Sequence, residues 1–231
     1  MKRIFITRRL PPIAKELLSK HLLVDENKEN RCLSTKILVE IVSKYDGILS
    51  TVSDRFTRDV IDKSNMLKVI SNYAVGLNNI DCYYAKKKGI SIYNTPGVVT
   101  NSTADMTLAL LLSLIRKVSV AHDFVKEGKW SSWDPELFVG EELTGKTFGI
   151  IGIGKIGKEV AKRAKGFGLR IIYYNRSIIT PILPEMKQVD FEYLLRNSDY
   201  ISLHVPLSEE TKDLINEKAI TKMEKKPILL N

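Results

Sequence analysis

Residues 147–157 read Thr147-Phe148-Gly149-Ile150-Ile151-Gly152-Ile153-Gly154-Lys155-Ile156-Gly157. An apolar run suited to a buried strand leads into a Gly-x-Gly-x-x-Gly turn. After it, Ile156, Val160, Ala161, Ala164 and Phe167 fall on one helical stripe. A glycine turn alone is weak evidence, but strand, turn and helix in this order make a phosphate cradle. Gly152 permits the tight turn, Gly154 lets the backbone approach a pyrophosphate, and Gly157 lets the helix pack close to the strand. The helix N-terminus offers unpaired amides and the positive end of its dipole to the phosphates.

The next strand, 170–174, runs into Asn175-Arg176-Ser177. A site that prefers NAD usually carries a carboxylate here to bind the ribose diol. The local sequence has none. Arg176 can pair with a 2′-phosphate and Ser177 can donate to it, which favours NADP over NAD. The alternative is a surface arginine beside bound NAD.

Outward from this point, strand and helix signals alternate in both directions. Upstream, strands are expected at 3–7, 22–24, 47–50, 67–71 and 90–93, and helices at 13–19, 35–44, 57–63 and 80–88. In the second of these helices Ile37, Ile41 and Val42 share a stripe. Asn94-Thr95-Pro96-Gly97 is turn chemistry, and Asn101-Ser102-Thr103 suits the cap of an apolar helix over 104–116. Residues 128–145 read as an irregular excursion. Downstream, strands are expected at 148–151, 188–189, 200–203 and 227–230, with helices at 156–166, 191–196 and about 218–223. The fold class is therefore α/β with two domains hinged near 97–101: a flavodoxin-like domain over 1–98 and a Rossmann-type dinucleotide-binding domain over 99–231.

Composition narrows the function. At 44 % hydrophobic and 27 % charged, the 231 residues are ordinary globular material. The formal charge is +9, but the basic residues are spread along the chain, so a solvated lysine-rich surface is favoured over a nucleic-acid interface. Cys32 and Cys82 stand alone, and His21, His122 and His204 are scattered, which argues for reduced thiols and against a metal site. The start has no signal-peptide pattern and the longest apolar stretch, 104–115, is too short to span a bilayer, so a cytoplasmic location is expected.

Several longer stretches carry a resemblance. They are Asn72-Tyr73-Ala74-Val75-Gly76-Leu77-Asn78-Asn79-Ile80-Asp81, Asn94-Thr95-Pro96-Gly97, Ser102-Thr103-Ala104-Asp105, Leu143-Thr144-Gly145-Lys146 with the glycine loop, and His204-Val205-Pro206-Leu207 with Thr211. Over nearly its whole length the chain resembles the D-isomer-specific 2-hydroxyacid dehydrogenases, most closely their glyoxylate/hydroxypyruvate reductase branch. The resemblance implies hydride transfer between NAD(P)H and a small 2-oxo acid. It implies that the Val75 and Gly76 amides receive the substrate carboxylate, with Ser50 on a neighbouring loop. Thr103, Ile153, Gly154, Lys155, Ile156, Asn175, Arg176, Ser177, Val205, Pro206 and Thr211 would line the dinucleotide. His204 falls in a cofactor-side strand and is read as structural. The family implies a homodimer formed partly through 104–130. Its catalytic arginine, glutamate and histidine match positions beyond Asn231. Residues 1–231 are thus expected to carry the binding apparatus of a shortened reductase and no catalytic side chain, leaving the chain inactive. The domain over 1–98 would then lack its returning helix. The alternative is a non-catalytic nucleotide-binding or regulatory module. The bland readings are that Val75-Gly76 only precedes a helix and that Pro206 only ends a strand.

Overall fold

A computed structural model describes residues 1–180 and 183–231. The chain forms two units, Met1–Val98 and Val99–Asn231, each with its own parallel sheet.

In the first unit, β1 (Arg3–Ile6), β2 (Leu23–Glu26), β3 (Gly47–Ser50), β4 (Val69–Asn72) and β5 (Ser91–Tyr93) line up in the order β2-β1-β3-β4-β5. That is the flavodoxin-like order. The helices α1 (Pro12–Ser19), α2 (Thr35–Lys44), α3 (Arg58–Asp62) and α4 (Cys82–Lys87) cross between strands. The α2 helix starts where the Ser34 hydroxyl accepts from the Ile37 amide, and it buries Leu38, Ile41 and Val42. The expected stripe is therefore corrected by one position. Ile37 is 43 % exposed, because at 3.6 residues per turn Leu38 aligns with Ile41 and Val42 while Ile37 sits at the stripe's edge.

The second unit opens with α5 (Thr100–Ile115) and α6 (Val118–Lys126). The α5 helix begins before the expected Ala104, so Asn101, Ser102 and Thr103 lie inside its first turns and do not cap it. Their polar groups turn to other partners: the Ser102 hydroxyl donates to the Val99 carbonyl, and the Asn101 side-chain oxygen accepts from Arg163. A left-handed Lys117, at φ 54°, separates α5 from α6, a helix outside the expected set. None of its residues is buried, so periodicity there marks no core. From Lys129 to Lys146 the chain is irregular, as expected.

The sheet follows: β6 (Thr147–Ile151), β7 (Arg170–Tyr174), β8 (Lys187–Gln188), β9 (Tyr200–Leu203) and β10 (Ile228–Leu230), ordered β10-β9-β6-β7-β8. This is the Rossmann half-sheet with β6 at the centre. All five β6 residues are buried, because α5 and α7 (Lys155–Gly166) cover one face while α8 (Phe191–Asn197) covers the other. Leu111 and Ile115 of α5 meet Val160, Ala161 and Ala164 of α7 in one core cluster. Arg163 ties the two helices by bonding Asp105 at 2.5 Å. The α7 stripe also differs from expectation at its ends. Gly157 is buried, whereas Phe167 is 43 % exposed because the helix has ended one residue earlier. Between β9 and β10 lies the short α9 (Glu217–Thr221). No helix among the described residues is long and apolar enough to cross a membrane.

Candidate dinucleotide and anion sites

The sequence of the glycine loop explains its shape residue by residue. Gly152 follows β6 at φ +91°, a conformation that costs an L side chain about 1–2 kcal/mol. A Cβ there would also lie 2.6 Å from Val205 Cγ1 and 2.9 Å from the His204 backbone. Its amide donates to the Tyr174 carbonyl at 2.9 Å, which binds the turn to β7. At Gly157 a Cβ would lie 2.2 Å from the Gly152 carbonyl oxygen, so the helix can approach the turn only without a side chain. Gly154 is different. It caps α7 with extended backbone, and a Cβ there would meet nothing within 4 Å. The first amides of α7 have no acceptor within the helix. Two glycines thus serve the fold, and the third leaves open space in front of a helix N-terminus.

Beside this loop lies a cavity of about 680 Å³. It brings together Gly152, Asn175, Arg176, Ser177, Val205, Pro206 and Thr211. The other expected residues stand outside its lining. Gly154 and Lys155 are exposed, Ile156 and Thr103 are half-buried, and Ile153 and Gly157 are buried. Asn175 links the two loops: its Oδ1 accepts from the Ile153 amide at 3.4 Å, and its Nδ2 donates to the carbonyl and hydroxyl oxygens of Ser177 at 3.0 and 3.1 Å. Thr211 fixes the loop after β9 by donating to the Pro206 carbonyl at 2.5 Å and accepting from the Ser208 amide at 2.8 Å.

The local sequence around Asn175 has no carboxylate, but the folded cavity has two. Glu209 and Glu210 line it from the loop after β9, and the Glu210 carboxylate accepts from Arg176 Nη1. Nothing in the sequence pattern signals this pairing, because it joins two loops that only the sheet brings together.

His204 ends β9. Its Nε2 lies 2.7 Å from the Ser202 hydroxyl, and burial pushes its pKa down to about 4. The native state therefore prefers the neutral ring, while the unfolded chain protonates near the usual 6.5. Stability from this group is present above about pH 6.5 and is lost as pH falls towards 4. Between about pH 7.5 and pH 5 the loss should approach 2 kcal/mol in urea unfolding, and His204→Phe should flatten that slope. An unchanged slope in the variant would place the pH dependence elsewhere.

In the first unit, β3 and β4 deliver a second cluster. Ser50 at the end of β3 is fully buried and donates to Asn72 Oδ1 at 3.0 Å. Asn72 Nδ2 donates to the Gly76 carbonyl at 2.9 Å and to Asn79 Oδ1 at 3.1 Å. Asn79 in turn donates to the carbonyls of Thr51 and Asp54. The buried Asp54 accepts from the Thr7 hydroxyl at 2.6 Å and the Thr51 amide at 2.9 Å. Asn94 donates to the Val75 carbonyl at 2.8 Å. The carbonyls of Val75 and Gly76 are thus both pinned by asparagine side chains. Among the described residues neither amide of that pair meets an acceptor. Ser50 takes its place inside the network, with its hydroxyl committed to Asn72. The sequence reading singled out Val75 and Gly76 and gave no role to Asn72, Asn79 or Asp54.

Known proteins are similar to this chain in sequence and fold. The glyoxylate reductase of Thermococcus litoralis is 42 % identical over 235 residues, a match covering 99 % of this chain and 71 % of that protein. The family profile described as D-isomer specific 2-hydroxyacid dehydrogenase, NAD binding domain, matches residues 108–231. The chain belongs to the D-isomer specific 2-hydroxyacid dehydrogenases. Solved structures agree with this family assignment. A protein from Thermus thermophilus superposes with a TM-score of 0.89 at 39 % identity, over 99 % of this chain and 73 % of its own. A glyoxylate reductase from Paecilomyes thermophila superposes with a TM-score of 0.82 at 32 % identity, over 96 % and 70 %. As a 2-hydroxyacid dehydrogenase by family, the chain is an oxidoreductase of the kind that uses NAD(H) or NADP(H) with a small 2-hydroxy or 2-oxo acid, and its glycine loop lies within the matched nucleotide domain.

Proposed function

We propose that the protein serves the reduction of a small 2-oxo acid, glyoxylate or hydroxypyruvate, by NADPH in preference to NADH. The observation that carries the reading is the glycine loop. Its one glycine without a packing reason, Gly154, faces open space at the N-terminus of α7. A pyrophosphate fits there, against the first amides of the helix. Gly152, Ile153, Lys155, Ile156 and Gly157 complete the cradle. Asn175, Arg176 and Ser177 take the adenosine ribose, with Val205, Pro206, Thr211 and Thr103 around the rest of the dinucleotide. When bound, the nicotinamide supplies the hydride. The unit over 1–98 binds substrate: Val75 and Gly76 direct their two amides to its carboxylate, and Ser50 steadies that loop through Asn72.

The NADPH preference rests on Arg176 and Ser177. Calorimetric titration of the 231-residue protein should give tighter binding of NADPH. Arg176→Ala should narrow the gap between the two dinucleotides by about 1–3 kcal/mol, the worth of a charge-assisted hydrogen bond. Equal affinities in the unmodified protein would refute the preference.

A homodimer through α5 and α6 belongs to the same reading. Met106, Leu110, Leu114, Val118 and Val120 leave apolar side chains in solvent along those helices, and Trp130 and Trp133 follow them. A cytoplasmic site of action fits the two free cysteines.

A further inference from the structure

Arg176 is the cation on which NADPH recognition depends, and the fold does not leave it alone. Among the described residues lining the cavity it is the one positively charged side chain, set against Glu209 and Glu210. Glu210 accepts from its guanidinium. The backbone on either side of this pair is fixed: Thr211 bonds Pro206 and Ser208 on one side, and Asn175 bonds Ser177 on the other. The two side chains themselves stand 81 % and 67 % exposed, so charge holds them together and packing does not. A pair of that kind is weak, and another anion can exchange into it.

We propose that Glu210 is a specificity-determining residue of the dinucleotide site, its carboxylate being the counter-anion that a 2′-phosphate must displace from Arg176. The proposal rests on the reading of Arg176 given above and deepens it. A 2′-phosphate brings roughly −1.5 to −2 charges to the guanidinium. To pair with Arg176 it must break the Glu210 contact and then sit beside the released carboxylate. A ribose with a free 2′-hydroxyl meets no such competition: it can donate to Glu210 while Arg176 stays paired. Glu210 therefore supplies, from the loop after β9, the carboxylate that the sequence after β7 lacks. It acts against Arg176, so the site discriminates less sharply than its arginine alone would.

The test is titration of NADPH and NADH into the unmodified protein, Glu210→Gln, Glu210→Lys, Arg176→Ala and the Arg176→Ala/Glu210→Gln double variant. Glu210→Gln should tighten NADPH about three- to tenfold, the scale of an exposed ion pair plus the removed repulsion. It should leave NADH unchanged or weaker. Glu210→Lys should shift the ratio further in the same direction. In the Arg176→Ala background the gain from Glu210→Gln should shrink to about twofold or less. Parallel changes for both dinucleotides, or a full gain without Arg176, would overturn the proposal. If the unmodified protein binds neither dinucleotide, the functional reading fails and takes this proposal with it. If it binds both equally but Glu210→Gln still favours NADPH, the role of Glu210 stands and only the wild-type preference falls.

Discussion

Gly157→Ala should destabilise the nucleotide-binding unit by about 3 kcal/mol, near the upper end for forcing a methyl group into a packed site. The added Cβ would lie 2.2 Å from the Gly152 carbonyl oxygen. That oxygen belongs to backbone which is itself held at positive φ and bonded to β7, so it cannot yield as a flexible side chain would. One effect opposes the clash. Alanine in a helix interior is favoured over glycine by about 0.5–1 kcal/mol. The steric term is larger, so the sign of the change is a loss. Chemical denaturation followed by far-UV circular dichroism would measure it. An unchanged or raised midpoint would mean that α7 and the turn are further apart than the structure has them.

Asn72→Ala should cost the first unit about 2–4 kcal/mol, on the scale of lost buried hydrogen bonds plus a cavity. Asn72 is fully buried and serves three partners, Ser50, Gly76 and Asn79. Truncating it strands a buried hydroxyl donor and loosens a pinned carbonyl, at about 1–3 kcal/mol for each group left unsatisfied. Its volume also leaves a cavity between the ends of β3 and β4. Hydrogen exchange adds a local readout. The amides of Tyr73, Ala74 and Ile80, which are hydrogen-bonded on either side of the Gly76 carbonyl, should lose protection well beyond the change in global stability, because that carbonyl has lost its tether. Asn72→Asp should cost at least as much, because it keeps the volume but sets a buried carboxylate oxygen against the Gly76 carbonyl and Asn79 Oδ1. If Asn72→Ala changed neither stability nor local exchange, the network would be an incidental feature of the strand ends.

The strands were legible because both sheets are parallel and covered on both faces, so each strand reads as a short apolar run between turns. The expected range 47–50 returns as β3, 170–174 as β7 and 200–203 as β9. What the sequence concealed falls into two kinds. A helix that covers no core stands apart from the strand-helix alternation, and α6, whose Val118, Ala121 and Val125 fall at helical spacing without being buried, is such a helix. A polar group committed to a partner on another strand looks, in one dimension, like any loop residue. Asn72 reads as a turn former, yet it is a buried hub; Glu210 reads as one charge in Ser208-Glu209-Glu210-Thr211, yet it faces Arg176. The glycine loop was readable for the opposite reason. Its constraints are local, since Gly152 and Gly157 answer to atoms within the same strand-turn-helix unit or the strand ends beside it.

Under the proposed function, Gly154 is a glycine for the sake of a dinucleotide and not for the sake of the fold. Gly154→Ala separates the two. The backbone there is extended, an alanine Cβ would meet no protein atom within 4 Å, and the cost at a helix N-cap should stay within about 1 kcal/mol. Calorimetric titration of this variant with NADPH, beside a denaturation curve, is the most direct measurement. The expected result is a fold as stable as the unmodified protein and NADPH affinity reduced at least about tenfold, because the methyl group would occupy the space of the pyrophosphate. An equally stable variant that binds NADPH as tightly as the unmodified protein would contradict the account.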